Sequence, residues 1–331
     1  MDSLTQIALG SAVAVATMGR RTAVWKAALW GAVAGTLPDL DAFIDHGDAL
    51  LNMVRHRAES HGLFYLTLAA PLLAAGVSLL HGETHQFKRW ALALWLVLIT
   101  HPLLDAMTVY GTQLLQPFTA HPYGVGSMFI IDPAYTLPLI VGVIAALRLS
   151  NTARGLRWNA VGLVLSTAYL AWSVGAQWQV ERVARAALAQ QGWAVQGLQV
   201  TPTPFNTVLW RLVATTPTAY HEGFYSLLDA TPTVRWTTHP RGAELMAEHG
   251  QTAPVTRFAA FTQGFFRLST TSEGQLRITD LRMGQEPHYI FNFDLGPLSA
   301  VGSVPATQVS QRPNTGPALR WLWQRLWGQT G

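Results

Sequence analysis

Six apolar segments occupy the first 180 residues of this 331-residue chain. Four of them approach the roughly 20 residues that a helix needs to cross the hydrocarbon core of a bilayer. The first two have 15 residues each, and their Gly and Ala content favours close helix packing in a membrane. We therefore predict an α-helical multipass membrane bundle of about six helices, the first two spanning or forming a re-entrant pair. The segments are 4–18, 23–37, 62–80, 90–109, 133–149 and 156–178.

Composition supports a membrane protein and excludes other classes. Charged residues make up 12% of the chain, whereas soluble domains usually have about 25%. This shortfall excludes a disordered protein and a nucleic-acid-binding tail, so we expect no nucleic-acid partner, and it argues against a wholly soluble enzyme. The chain has no cysteine, so any metal must be held by His, Asp and Glu side chains.

Basic residues are distributed unequally along the apolar part of the chain, and this predicts its orientation. Eight lie in or beside the loops after the first, third and fifth segments, and two lie in the alternate loops. Because basic loops face the cytoplasm, we expect a plasma (inner) membrane protein whose termini, metal-site face and C-terminal domain lie outside the cytoplasm. The N-terminus lacks the features of a signal peptide and is expected to be retained. The eight are Arg20, Arg21, Lys26, Lys88, Arg89, Arg148, Arg154 and Arg157; the two are Arg55 and Arg57.

The composition changes after residue 180. We predict a membrane-embedded helical metal-site domain, 1–180, and a small extracytoplasmic β-rich domain, 181–331, because alternating apolar residues there indicate half-buried strands. The stretch 317–327 carries three Trp and two Arg residues, which favours a short interfacial helix on the bilayer; a helix packed on its own domain is the alternative. The predicted strands are 206–215, 257–269 and 275–283.

Polar residues at the end of the fourth apolar segment indicate a metal site. His101 and Asp105 are four residues apart, so their side chains share one helix face. An imidazole and a carboxylate at this spacing can bind one cation, and both are costly inside an apolar segment unless they have a partner. Metal ligation is the favoured interpretation, and a structural His–Asp pair is the alternative.

Two further clusters are predicted at the same face. The aspartates after Pro38, taken alone, are typical of a solvent-exposed turn. The two histidines before the third segment are five residues apart and reach one site only if a helix begins between them. Together the clusters predict a carboxylate and imidazole site for one or two ions, with an aspartate as a bridge between two. The predicted ligands are Asp39, Asp41, His56, His61, His101 and Asp105.

The chain resembles the YdjM/YfhP-type family of membrane-bound, metal-dependent hydrolases, described as LexA-binding inner-membrane hydrolases, over residues 1–150. It is similar, more distantly, to zinc-dependent phospholipase C and single-strand nucleases. The resemblance implies metal-dependent hydrolysis and names no substrate. Three positions depart from the family pattern: Ser60 replaces Thr and Gly62 replaces Ser in the second motif, and Gln6 stands where many members have His. The runs that carry the resemblance are MDSLTQ, GTLPDLD, HRAESH and THPLLDAMTVYGTQLLQPF.

From these residues and this resemblance we expect a hydrolase that uses metal-activated water on a phosphoester or lipid-like substrate at the bilayer. Zinc is the expected ion, with manganese or magnesium as alternatives. Asp39 or Asp41 is the candidate general base or metal bridge. Arg57 suits a phosphate oxygen, with a membrane-interface anchor as its alternative role. Two classes compete with an enzyme: a scaffold with a structural metal site whose β-rich domain binds a partner, and an ion or metal transporter.

Overall fold

All six apolar segments form helices in a computed structural model of the chain, which describes residues 1–150, 152–310 and 315–328. The fourth segment ends as a helix at Asp105 and continues as a turn, and the sixth continues well past residue 178. The helices are α1 (Ser3–Met18), α2 (Val24–Thr36), α3 (Ala49–Arg55), α4 (Leu63–Leu80), α5 (Phe87–Asp105), α6 (Pro133–Arg148), α7 (Ala153–Ala189), α8 (Ala243–His249), α9 (Ala253–Phe261) and α10 (Thr315–Leu326).

The described residues form two units, and the second includes a short segment from early in the chain. The predicted boundary at residue 180 lies inside α7, whereas the division between the units falls after Val174. The first unit comprises Met1–Phe43, His56–Val174 and Pro204–Asn206; the second comprises Ile44–Arg55, Gly175–Thr203 and the described part of Thr207–Gly331.

Fewer helices are long enough to cross a membrane than the sequence predicts. Within the described residues, three are sufficiently long and apolar: α4, the stretch Thr84–Asp105 that contains α5, and α7. The apolar helices α1 and α6 have 16 residues each, which at 1.5 Å per residue is about 24 Å, short of the roughly 30 Å hydrocarbon core. The prediction of six helices is therefore confirmed, but six membrane spans are not.

Glycines bring α1 and α2 into close contact, as their small-residue content predicts. A Cβ atom on Gly10 would lie 2.2 Å from the carbonyl oxygen of Gly31, and one on Gly35 would lie 2.7 Å from the carbonyl oxygen of Gln6. No larger residue fits at these positions without moving a helix backbone. This close approach places the C-terminal end of α2 beside Gln6.

The predicted orientation is tested by reporter fusions. A reporter that is active only outside the cytoplasm is expected to work when fused after α7 or within residues 110–130, because the basic loops lie on the other side. Activity of a cytoplasm-only reporter at these two points would show that the orientation is reversed.

The second unit contains two four-stranded antiparallel sheets, with strand orders β1-β2-β3-β4 and β10-β9-β6-β5, and a small hairpin. Trp210, Phe258 and Phe293 are among its fully buried side chains. The strands are β1 (Gly197–Pro202), β2 (Leu209–Thr215), β3 (Ala219–Ser226), β4 (Trp236–Pro240), β5 (Phe266–Thr270), β6 (Gln275–Asp280), β7 (Gly284–Gln285), β8 (His288–Tyr289), β9 (Asn292–Pro297) and β10 (Thr307–Gln308).

Two of the three predicted strands are confirmed, by β2 and β6. The third prediction, 257–269, is wrong in its first part, because residues up to Phe261 lie in helix α9. Pro254 occupies the first turn of that helix, where its missing N–H costs nothing. Val255, Phe258 and Phe261 are buried at a spacing of three, which is a helical and not a strand period.

The Trp-rich C-terminal stretch forms α10, which packs on its own unit along one side. Arg325 donates two hydrogen bonds to the Asp229 carboxylate, at 2.6 and 2.7 Å. Trp321 contacts Phe224 edge to face. Trp323 remains 62% exposed, so the helix has both a packed side and an open aromatic side. Its location at the bilayer interface stays a prediction.

Candidate metal centre

Four of the six predicted ligands meet at one point of the first unit. One lies in the 3-10 helix Pro38–Phe43 after α2, one lies in the 3-10 helix Glu59–His61 before α4, and two lie at the C-terminal end of α5. Each offers a ligand atom, and these atoms all lie within 4.8 Å of one another. The cluster could therefore bind a metal ion. Its members are Asp39, His61, His101 and Asp105.

The spacing of the ligand atoms fits a single ion. Nε2 of His61 lies 3.4 Å from Asp39 Oδ1 and 3.3 Å from Asp105 Oδ2. Nε2 of His101 lies 3.5 and 3.6 Å from the same two oxygens, and the two Nε2 atoms are 3.2 Å apart. Ligand distances of ~2.1 Å around a tetrahedral ion place ligand atoms about 3.4 Å from each other.

Hydrogen bonds on the far side of each imidazole leave both Nε2 atoms as acceptors when the rings are neutral. Nδ1 of His101 donates to the carbonyl oxygen of Gly35, at 2.7 Å. Ser60 Oγ donates to Asp41 Oδ2 and therefore accepts from Nδ1 of His61, at 2.8 Å. Neutral imidazoles held in this way present lone pairs to the cluster. Two nitrogen and two carboxylate acceptors then face each other, which favours a proton or a cation among them in addition to the Arg57 guanidinium and the Met1 amino group that contact Asp105.

The electrostatics of the cluster favour positive charge. Burial raises the pKa of Asp39, but hydrogen bonds with His101 and His61 lower it more, so the net pKa lies well below its usual value. Burial lowers the pKa of His61, but hydrogen bonds with Asp105, Asp39 and Asp41 raise it to a net value of about 9. The carboxylates that hold a proton on His61 would equally attract a divalent cation.

The other two predicted ligands, Asp41 and His56, lie outside the group of four and bind each other. Asp41 Oδ1 accepts from Nδ1 of His56 at 2.7 Å. Asp41 Oδ2 accepts from the backbone N–H of Arg57 at 2.9 Å and from Ser60 Oγ at 2.5 Å. Burial raises the pKa of Asp41, but hydrogen bonds with His56 and His61 lower it more strongly. Asp41 thus fixes the segment that carries His61, and the Ser60 hydroxyl fills a place where the family pattern has Thr.

Arg57 is buried beside the cluster, which does not fit an interface anchor. Its Nε lies 3.1 Å from Asp105 Oδ2, and its guanidinium covers the ring of Tyr110 at 4.9 Å. The backbone of Arg57 has φ of 66°, a left-handed conformation that costs a residue other than glycine roughly 1–3 kcal/mol and that persists mainly at functional sites. Arg57 therefore compensates the charge of Asp105 with its side chain and holds Asp41 with its backbone.

Unpartnered buried atoms support a cation in the cluster. Among the described residues, the buried atoms without a well-formed hydrogen bond include Gln6 Oε1, Arg57 Nε and Asp105 Oδ2, the last two of which form the ion pair at 3.1 Å. The other carboxylate oxygen, Asp105 Oδ1, accepts from Gln6 Nε2 at 3.0 Å and contacts the amino group of Met1. A buried carboxylate oxygen without a hydrogen bond is costly, and a bound ion would add the ligand contact that the ion pair with Arg57 does not supply.

Sequence reasoning missed two residues of the site. Gly35 supplies the carbonyl that orients His101. Gly35 follows Gly31 by four residues, a spacing that is typical of close helix contacts and that could have identified Gly35 in the sequence. Tyr110 contacts both Arg57 and the ring of His56, the latter at 5.6 Å between centroids. It follows the His101 and Asp105 turn by five residues, but nothing in that spacing predicts the contacts.

A cavity of about 380 Å³ opens beside the cluster, and Asp39 is the ligand that lines it. Asp2, His56, Arg57 and the amino-terminal residue Met1 supply its other charged or titratable groups, and Leu40 and Phe43 form part of an apolar wall. The cavity therefore joins a metal-binding carboxylate, a histidine, a guanidinium and apolar surface.

These features define a helical membrane protein with a buried Asp and His cluster suited to a metal ion. The chain belongs to the YdjM inner membrane protein family, whose model matches residues 1–180. It is also 22% identical over 304 residues to the uncharacterized protein YfhP of Bacillus subtilis strain 168, over 88% of this chain and 89% of that protein. No solved structure matches the chain. The resemblance to the YdjM/YfhP-type family is thus confirmed, whereas hydrolase activity stays a prediction.

Proposed function

We propose that this protein is a membrane-bound, metal-dependent hydrolase acting on a phosphoester or lipid-like substrate. The observation that carries this proposal is the cavity, in which Asp39, His56 and Arg57 converge beside the buried cluster. A divalent ion held by the four ligands would supply activated water and would polarise the bond to be cleaved. Zinc suits a set of imidazoles and carboxylates, with manganese or magnesium as alternatives.

His56 is the residue best placed to move a proton. Its Nδ1 donates to Asp41, so in the neutral ring Nε2 is the acceptor. A histidine oriented by a carboxylate and lining a substrate cavity is the usual arrangement for general acid–base catalysis. Asp41 then acts through His56 and not as the base itself.

Arg57 and the apolar wall favour an anionic, amphipathic substrate. A guanidinium binds phosphate oxygens in a planar, bidentate manner. Leu40 and Phe43 are 53% and 86% exposed, and they lie in the same 3-10 helix as Asp39. A phosphoester with an apolar chain would meet both surfaces, which supports a bilayer lipid as the source of substrate.

A scaffold with a structural metal site is the second candidate, because four protein ligands complete a tetrahedral set. A catalytic zinc normally keeps one position open for water. Asp39 is the exposed member of the four, with 21% of its side chain accessible, so a position opens for water at the cavity if the ion expands its coordination or Asp39 withdraws.

A His56→Gln variant separates these two functions. We expect the rate of phosphodiester hydrolysis by the detergent-purified, metal-saturated protein to fall at least ~100-fold, with metal content unchanged, because His56 lies outside the ligand group. The matched control is His85→Gln, since His85 is an exposed histidine far from the cavity in sequence.

Two results would contradict this assignment. Loss of metal in His56→Gln would make His56 a ligand, and full hydrolysis would remove it from proton transfer. A parent protein that binds metal but hydrolyses no phosphoester, carboxylester or amide probe would favour the scaffold.

A further inference from the structure

The 12 residues of Ile44–Arg55 belong to the second unit, although the residues on both sides of them belong to the first. The chain leaves the first unit after Phe43, directly after the aspartates of the site, and it returns at His56. The segment Ile44–Arg55, called the excursion below, therefore lies in the sequence between residues that contact each other. Asp41 accepts hydrogen bonds from the His56 ring and from the Arg57 backbone.

The excursion is firmly held within the second unit. Its helix α3 packs against α9 and β10, and the side chains of Leu50 and Met53 are buried, at 1% and 5% exposure. The backbone N–H of Ala49 donates to the carbonyl oxygen of Ala306 at 3.2 Å. Asp48 Oδ1 accepts from the N–H of Leu51 at 2.7 Å and caps the helix start.

Anchoring this segment favours the hydrogen bonds at its two ends. Fourteen residues, 42–55, lie between Asp41 and His56. If these residues formed a free loop, bringing Asp41 and His56 together would cost conformational entropy, and this cost increases with the length of the loop. A docked α3 removes most of that freedom. The Asp41 pairings then persist, and through Ser60 they orient His61 toward the metal cluster.

We propose that the β-rich unit positions the metal centre by holding α3, with Leu50 and Met53 as the positioning residues. This inference rests on the metal cluster but not on hydrolysis. It gives the C-terminal unit a role in the chemistry of the first unit, because correct orientation of ligand histidines by hydrogen-bonded partners typically changes metal affinity 10–100-fold.

The test uses the full-length protein in detergent with Leu50→Ala, which loosens α3 while leaving every site residue in place. We expect amide hydrogen exchange at Arg57, whose N–H binds Asp41, to become about 10-fold faster in the metal-free protein. We also expect zinc affinity, measured by competition with a chromophoric chelator, to fall about 10-fold. In Leu50→Met, which keeps the volume of the side chain, the Arg57 exchange rate and the zinc affinity should both match those of the parent.

Leu276→Ala is the matched control, because Leu276 is fully buried in β6 of the same unit and lies far from α3 in sequence. Unchanged Arg57 exchange and zinc affinity in Leu50→Ala would overturn the proposal, as would equal effects in Leu276→Ala. If Leu50→Ala does not fold, Met53→Ala replaces it under the same criteria. Since the exchange readout needs neither metal nor turnover, a parent without hydrolase activity would leave this result standing.

Discussion

Replacing His101 or Asp105 by alanine is expected to remove most of the divalent metal that the purified protein holds. Each contributes one of the four ligand atoms of the cluster, and both side chains are buried, so either substitution leaves the ion one protein ligand short. The loss of affinity should exceed the 10–100-fold that is typical of losing a hydrogen-bonded partner of a ligand. Elemental analysis of detergent-purified, monodisperse protein measures the metal content directly.

Two further variants make this measurement specific. Asp45→Ala removes a carboxylate that is exposed and lies outside the cluster, so its metal content should match that of the parent. Asp105→Asn keeps the shape of the side chain next to Arg57 and therefore separates lost ligation from a general loss of folding. If the His101 and Asp105 variants retain the metal of the parent, the assignment of the α5 ligands is wrong.

The helical part of the fold was predictable because it depends on local sequence. Long apolar segments specify helices without tertiary information, and the spacing of His101 and Asp105 places both on one face of α5. The length of α7 was not predictable from hydropathy. Its polar extension continues to Ala189 and carries an ion pair between Glu181 and Arg185 at a spacing of four, at 2.6 Å, which supports a helix by about 0.2–0.5 kcal/mol. The end of an apolar segment is therefore not the end of the helix.

The choice among the six predicted ligands depends on tertiary contacts that sequence does not encode locally. Asp41 and His56 have the same side-chain chemistry as Asp39 and His61, and each lies within five residues of its counterpart. The 3-10 turns direct Asp39 and His61 into the cluster, whereas Asp41 and His56 bind each other. Only the packed structure distinguishes the two pairs, and it gives them different expected roles.

Asp39→Asn and Asp41→Asn are each expected to lower phosphodiester hydrolysis at least ~100-fold, for two different reasons. Asn at position 39 removes a charged ligand that faces the cavity. Asn at position 41 keeps all four ligand residues, although it weakens the hydrogen bond of Ser60 that orients His61. It also replaces an acceptor for the His56 Nδ1–H by an amide that can donate as well as accept. The imidazole then no longer has a fixed tautomer, and its Nε2 is no longer held as the proton acceptor.

Metal content separates these two causes. Asp39→Asn should lose metal as well as activity, whereas Asp41→Asn should keep its metal when assayed with the ion in saturating excess. Both substitutions preserve side-chain size, so the folded protein should survive in both. Each variant is compared with the parent on the same phosphodiester probe, and Asp45→Asn serves as the exposed control.

The pattern across the two variants decides between an enzyme and a scaffold. Full turnover in both would contradict the roles given to the aspartates, whatever the metal content. If Asp39→Asn loses metal and the parent shows no measurable hydrolysis, the ion is structural, consistent with a closed set of four protein ligands. A metal-loaded but inactive Asp41→Asn protein, beside an active parent, is the one result that a structural ion does not explain. If the metal affinity of Asp41→Asn is also unchanged, which shows that His61 is still correctly oriented, the lost activity requires a reacting residue outside the ligand group, and His56 is the residue that Asp41 holds.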